Sequence, residues 1–479
     1  MVGFNMQLQE KMNVIETFNP ATGEKLASYP LISTEKAMDA ARKANDTYRN
    51  RWSILGLSDR TSYIGSIAKS LRAKKAEYAK IITQEMGKPI VQSENEIEKC
   101  AWTAEMFAKN AEDWLKDDPT KTDAKKAYVT FNPLGVIVGI MPWNFLFWQV
   151  FRAAIPAMLA GNTFILRHSN TCPASALAIE ESIINAGFPD GAFRSIISSH
   201  ETIAQLIESD FIRGVSLTGS VEAGKSVATL ASKNLKKFVL ELGGSDPFVV
   251  FEDANVKEAA KVGAAARLFN SGQSCVCAIR FIVVKNNAEE FKQRFVEEIQ
   301  KKKVGDPMDR ATEVGPLVNK AAVEKVDGQV RDALSKGAKA LLRGGKRSRK
   351  ASFNDPTVLS DVDSSMRVMT EEVFGPAAPI YIVENEAEAI RAANDTDYGL
   401  GASIWTQNLD RAESLAKKIE SGTVFVNGQM QSDPRMPFGG VKNSGIGREL
   451  SSYGLKEFVN IKSLQIFASN SQGSGTLTE

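Results

Sequence analysis

Three observations predict an α/β protein with two doubly wound, mostly parallel sheets. From Val129 onward, short β-rich runs alternate with helical ones. A second alternation of the same kind begins after Gly243-Gly244. The chain of 479 residues is also too long for one ordinary hydrophobic core, so more than one domain is expected. Residues 1–115 read as helical. Thr34 is placed to cap a helix in which Ala37, Met38, Ala41 and Ala44 recur at helical spacing. The run from Arg60 to Glu85 carries Ile64, Ile67, Ala68, Leu71 and Tyr78 on one face. Strands are then expected at 136–141, 162–167, 193–198 and 215–219. The helices between them run to about Leu159, over 173–186 and over 201–208. Beyond Gly244 the order is a strand at 247–251, a helix over 256–269 and a strand at 279–284, with α/β character to about residue 440. The charged run 344–350 reads as a solvated loop and 469–479 as a fraying tail. No repeat of solenoid or propeller length is present.

Composition removes several function classes. With 43% hydrophobic and 24% charged residues, the chain is globular rather than disordered or fibrous. Its net charge of +2 comes from 59 basic and 57 acidic residues, which gives no electrostatic reason to expect nucleic acid or an anionic membrane as partner. The N-terminal stretch has no continuous apolar segment. The longest apolar run, Val136 to Ala160, is interrupted by Asn144, Gln149 and Arg152, so a membrane span is not expected. Four Cys (Cys100, Cys172, Cys275 and Cys277) are too few for a disulfide framework, and the expected location is cytoplasmic. Only two His are present, His168 and His200. That count argues against a Ser-His-Asp hydrolase, a His-rich zinc site and a Cys-His protease, and no metal is expected.

Three segments carry chemistry. In Asn270–Cys277, Cys275 follows a Gly-rich turn that can expose a thiol, although most intracellular Cys are small buried hydrophobes. In Val239–Pro247, Glu241 stands between two Leu and ahead of two glycines at the end of a strand; alone it could equally face solvent. In Met141–Phe145, Asn144 can donate an N–H to developing negative charge, or can simply cap the next helix. Together, Asn144, Glu241 and Cys275 in this order, with Glu241 34 positions before Cys275, resemble the aldehyde dehydrogenase superfamily. The similarity runs from about Phe18 to about Phe467. It includes residues 18–24, 217–224, 304–307, 371–376, 398–400, 426–428 and 437–445.

The resemblance implies a mechanism that needs no imidazole. Cys275 attacks the aldehyde, and the Asn144 side chain and Cys275 N–H hold the oxyanion. Hydride leaves for a nicotinamide, and Glu241 activates the water that hydrolyses the thioester. Relatives that pass the acyl group to coenzyme A lack that carboxylate, so hydrolysis is expected. The implied cofactor residues are Met141, Pro142, Trp143 and Asn144, then Arg167, His168, Ser169 and Asn170. Gly219 and Ser220 at a helix N-terminus follow, with Glu241, Leu242, Glu372 and Phe374. The family usually has Lys-Pro-Ser-Glu where this chain has Arg167-His168-Ser169-Asn170. Loss of that Glu removes repulsion of a 2′-phosphate, and Arg167 is a good phosphate partner, so NADP is expected, with NAD possible.

Within the superfamily, segments 213–220, 241–247 and 432–450 are most similar to the succinate-semialdehyde dehydrogenase branch. Arg152, eight residues after Asn144, matches an arginine that binds the substrate carboxylate there; the alternative is that it reaches the surface. Phe147, Trp148 and Ser274 complete the expected substrate set. Phe269 stands where some such enzymes have a second arginine, which Arg435 could replace, and Ala153 stands where the superfamily commonly has lysine. Cys277 either fills space or closes a reversible disulfide with Cys275, as in some relatives. The implied organisation is an aldehyde dehydrogenase-like fold. Its cofactor-binding domain covers 1–120 and 134–243, its catalytic domain 244–445, and its bridging strands 121–133 and 456–470. Those strands imply a homodimer or homotetramer. A broad-specificity aldehyde dehydrogenase and a non-catalytic binding protein of the same fold are the alternatives.

Overall fold

The computed structural model describes residues 14–346 and 351–468. Its first large sheet has the spatial order Gly445–Ile446, Lys237–Glu241, Ile212–Thr218, Val136–Met141, Thr163–His168, Phe193–Ser195. Every neighbouring pair is parallel except the first. The chain begins at Val136–Met141, builds outward to Phe193–Ser195, then returns to add Ile212–Thr218 on the other side. Helices therefore diverge at the carboxyl ends of Val136–Met141 and Ile212–Thr218 and leave a crevice there. Val136–Met141 and Thr163–His168 are covered on both faces, which is why the first, and Phe164–Leu166 in the second, read as unbroken apolar runs.

The second sheet has seven strands, ordered Lys339–Leu342, Thr357–Ser360, Ala377–Val383, Ala278–Val284, Asp246–Val250, Gly401–Trp405, Thr423–Val426. It is parallel apart from Lys339–Leu342. Glu241 ends a strand of the first sheet and Asp246 begins a strand of the second. The carboxyl edge of one sheet thus faces the amino edge of the other across four residues of chain, 242–245. The α/β alternation expected from the sequence is present in both halves.

A third, antiparallel sheet joins Asp118–Pro119, Lys126–Pro133 and Val459–Ile466. It leaves Ile461, Ile466 and Phe467 exposed. Among the described residues no helix is long and apolar enough to cross a membrane.

Four expectations are corrected. Residues 1–115 are not all helical, because Val14–Phe18 and Lys25–Pro30 form a hairpin. Its turn is built by Asn19, whose Oδ1 accepts from the Ala21 N–H at 2.9 Å, and by Gly23 at φ 76°. Ser33, not Thr34, caps the first helix, its hydroxyl accepting from the Lys36 N–H at 3.3 Å. The run 60–85 is two helices, Leu57–Ala73 and Lys75–Met86. The break at Lys74 is invisible to apolar periodicity because Ile67, Leu71, Tyr78 and Ile82 all enter the same core. Within 344–350, Gly345–Lys346 pairs with Asn354–Asp355; residues 347–350 and the tail 469–479 lie outside the described residues.

Candidate active site

Cys275 lies on a loop that is rigid for identifiable reasons. After the helix Val256–Leu268, Asn270 (φ 51°), Ser271 (φ 57°) and Gly272 (φ 79°) are all left-handed. Such backbone costs about 1–3 kcal/mol per non-glycine residue and persists only where neighbours enforce it. Here they do. The Asn270 side chain donates to the carbonyls of Asn144 at 2.8 Å and Gln273 at 3.0 Å. Ser271 Oγ both donates to the Gly315 carbonyl and accepts from the Gly315 N–H. Gln273 Oε1 accepts from the Val318 N–H at 2.9 Å. A Cβ on Gly272 would lie 2.4 Å from the Gly375 backbone, and one on Gly244 would lie 2.4 Å from the Cys275 carbonyl oxygen. The second glycine after Glu241 thus exists to let the two sheet edges meet at the thiol.

Asn144 is held by both ends of its amide. Its Nδ2 donates to the Gln273 carbonyl at 3.1 Å, and its Oδ1 accepts from Gln149 Nε2 at 3.0 Å. The NH2 group therefore faces the Cys275 loop. The helix that follows, Trp148–Leu159, is capped by Glu96, whose Oε1 accepts from the N–H groups of Phe147 and Trp148 at 2.8 and 3.1 Å. Glu96 is itself paired with the buried Lys88.

Glu241 is 2% exposed and neither carboxylate oxygen has a hydrogen-bond partner. Burial pushes its carboxyl well above the ordinary range; Arg152 opposes this and Glu449 adds to it. A Cβ on Gly439 would stand 2.7 Å from Glu241 Oε1, so that position must be glycine for the carboxylate to keep its place. Burial likewise pushes the Cys275 thiol up, against the attraction of Arg152. Arg152 is 2% exposed, so it does not reach the surface. It pairs with Glu449, donates to Thr218 Oγ1 at 3.2 Å and lies over the Phe438 ring at 4.6 Å.

Two cavities meet at Cys275. One, of about 370 Å³, is lined by Pro142, Trp143, Asn144, Gly219, Ser220, Leu242, Glu372 and Phe374. Phe374 packs edge-on against Trp143 at 5.6 Å, and Glu372 Oε1 accepts from the Gly244 N–H at 3.0 Å. Ser220 caps the helix Val221–Lys233, whose N-terminus opens on this crevice. Arg167 and Asn170 stand at the end of the neighbouring strand, with Arg167 donating to Asn170 Oδ1 at 3.0 Å and its buried Nε unpartnered. Met141 is buried at the end of its strand and Ser169 is half-buried beyond Arg167.

The other cavity, of about 300 Å³, is lined by Phe145, Trp148, Gln149, Arg152, Phe269 and Ser274, with Lys99 and Ser432 at its wall. Three expected site residues lie elsewhere. Phe147 is fully buried against Tyr78 and Phe151. Phe145, Trp148, Gln149 and Arg152 share the cavity face of the helix by 3–4 spacing, and Phe147 points to the opposite one. Arg435 is exposed, ion-paired with Asp433 and stacked over Trp102, because Asp433 turns it outward. His168 is buried in the core, where its Nε2 meets the Leu146 carbonyl at 2.8 Å and burial lowers its pKa to about 4, so it is a neutral structural group. Cys277 is buried and its thiol donates to the Phe269 carbonyl at 3.5 Å.

Gln149, Lys99 and Glu449 were missed from sequence. Gln149 is the one amide in an otherwise apolar helical stretch. Gln92, Asn95, Glu96 and Lys99 recur at helical spacing along one side of the amphipathic helix Ile90–Leu115. Those two irregularities were the available signals.

A half-buried thiol, an unpartnered buried carboxylate and a fixed amide donor at the mouth of a dinucleotide-type crevice define a covalent-catalysis oxidoreductase. The aldehyde dehydrogenase family model matches residues 7–464, and the chain belongs to that family. It is 42% identical over 455 residues to a probable succinate-semialdehyde dehydrogenase [NADP(+)] of Synechocystis, covering 94% of this chain and 99% of that protein. It is 40% identical over 448 residues to the succinate semialdehyde dehydrogenase [NAD(P)+] of Escherichia coli, covering 94% and 97%. Among solved structures, succinic semialdehyde dehydrogenase from Streptococcus pyogenes, in complex with NADP+, superposes with a TM-score of 0.92 at 36% identity, covering 95% of this chain and all of that one.

Proposed function

We propose that this protein oxidises succinate semialdehyde to succinate with NADP+. The observation that carries the substrate is the pair of cations, Arg152 and Lys99, lining the cavity that ends at Cys275, supported by the named activities of the relatives at about 40% identity. The cofactor residues fit. The unpartnered Arg167 Nε, with no carboxylate in the neighbouring position 170, suits a 2′-phosphate. The helix N-terminus at Ser220 suits a pyrophosphate, and Glu372, Phe374 and Trp143 line the space for the nicotinamide half.

The Cys275 thiol releases its proton to water as its sulfur adds to the aldehyde carbon, and the oxyanion that forms accepts from Asn144 Nδ2 and the Cys275 N–H. Preorganised donors of this kind are worth about 2.7–4 kcal/mol each. NADP+, when bound, supplies the hydride acceptor that leaves a thioester on Cys275. Glu241 then takes a proton from water, the water oxygen joins the acyl carbon, the C–S bond breaks, and the proton on Glu241 passes to the departing sulfur, which releases succinate and restores the thiol. A carboxyl whose affinity for protons is raised by burial is a stronger base than a solvated one, which suits that step.

The exposed Ile461, Ile466 and Phe467 on the antiparallel sheet favour a homo-oligomer assembled through that sheet. Four free thiols favour a cytoplasmic, reducing location. One observation favours a broader aldehyde specificity: Glu449 already balances the Arg152 charge. Steady-state kinetics with succinate semialdehyde and with butanal, each with NADP+ and NAD+, decide between the readings. The semialdehyde is expected to win by at least about tenfold in kcat/KM, about 1.4 kcal/mol of carboxylate recognition. Equal values for the two aldehydes would overturn the substrate, and a preference for NAD+ would overturn the cofactor.

A further inference from the structure

Arg152 alone is a poor selector of anions, because the Glu449 carboxylate paired with it already neutralises its charge. A second cation faces the same cavity. Lys99 projects from the helix Ile90–Leu115, and its Nζ donates to the Ser432 carbonyl at 2.7 Å and to Ser432 Oγ at 2.8 Å. It also lies 4.3 Å from the centroid of the Trp148 ring. An ammonium has three N–H donors, so one remains for a ligand. Among the described residues no carboxylate lies within ion-pair distance of Lys99. The acidic groups nearest its field are engaged elsewhere: Glu96 with Lys88, and Asp433 with Arg435. Lys99 is therefore the uncompensated positive charge of the substrate cavity.

We infer that Lys99, held by Ser432 and Trp148, is the specificity-determining cation that binds the far carboxylate of a short ω-oxo acid, with Arg152 a positioning residue beside it. This rests on the substrate class proposed above. A carboxylate there replaces a missing counter-ion, which makes the contact one to a charged group in a partly desolvated site. An uncharged aldehyde of equal length leaves Lys99 as it is and gains nothing from it.

The titration of Lys99 gives a second handle. Its pKa is lowered to about 8, first by burial and then by Arg152, with Cys100 and Glu96 on its own helix and Asp433 on the facing loop acting the other way. Above that pH the free enzyme loses the ammonium, so selectivity for the anionic aldehyde must fall. Taking the semialdehyde-to-butanal ratio of kcat/KM removes the titration of Cys275 and Glu241, which both aldehydes share.

The experiment is that ratio for the wild type, Lys99→Met and Lys99→Arg, at neutral pH and then to about pH 9.5. The inference predicts that Lys99→Met lowers the ratio at least about tenfold, mainly through KM for the semialdehyde, and that Lys99→Arg restores most of it. It also predicts that the wild-type ratio falls as pH rises through about 8 while that of Lys99→Met stays flat. A wild type that prefers the semialdehyde alongside an unchanged ratio in Lys99→Met overturns the role of Lys99 and leaves the substrate standing. A wild type without preference overturns both. Should Lys99→Met not fold, a wild-type ratio that is flat across this pH range overturns the inference by itself.

Discussion

The two cavities that meet at Cys275 are built in different ways. The one beside Gly219 and Ser220 is made by backbone and strand ends: a helix N-terminus, the loop 241–245 and the turn after Met141. The one beside Arg152 is made by side chains from four separated segments, carried by residues 92–99, 145–152, 269–276 and 429–438. The first is fixed by topology, since any doubly wound sheet opens at its switch point. The second is fixed only by which side chains happen to converge. This difference explains why cofactor-side residues fall in contiguous motifs and substrate-side residues do not.

Substitutions can separate the two sides. Asn144→Ala strikes the junction, so kcat should fall by about 10²–10³ for the semialdehyde and butanal alike, with little change in their ratio. A loss confined to one aldehyde would show that Asn144 belongs to the substrate wall instead. Gln149→Leu removes the hydrogen bond that orients Asn144 while keeping a side chain of similar length at the wall of both cavities. The expected loss is smaller, about 1 kcal/mol or roughly five- to tenfold in kcat, and again equal for both aldehydes. A loss as large as that of Asn144→Ala would mean that Gln149 itself touches the reacting atoms.

Much of the fold was legible because its strands are buried on both faces and punctuated by glycines. Val136–Met141 and the Phe164–Leu166 centre of Thr163–His168 announce themselves as apolar runs. The site residues that lie in contiguous motifs, Asn144, Glu241 and Cys275, were legible for a similar reason: tight turns and close backbone contacts demand Gly244, Gly272 and Gly439 around them. The rest depended on packing that local spacing does not encode. Lys99 meets Ser432 across 333 positions of sequence, and Arg152, on the helix Trp148–Leu159, meets Glu449 on a distant segment bridged to Phe438. Phe147 and Arg435 were misplaced for complementary reasons. One follows the helical phase into the core, and the other is drawn outward by a neighbouring Asp433.

The central claim is that Cys275 carries an acyl group which Glu241 removes. The most direct test is Glu241→Gln mixed rapidly with NADP+ and succinate semialdehyde, with reduced cofactor followed in the first turnover and the protein then weighed intact. The account predicts a burst of one reduced cofactor per site, a steady-state rate lowered by about 10²–10⁴, and a succinyl adduct that maps to Cys275. No burst and no adduct, or a steady-state rate equal to that of the wild type, would contradict it.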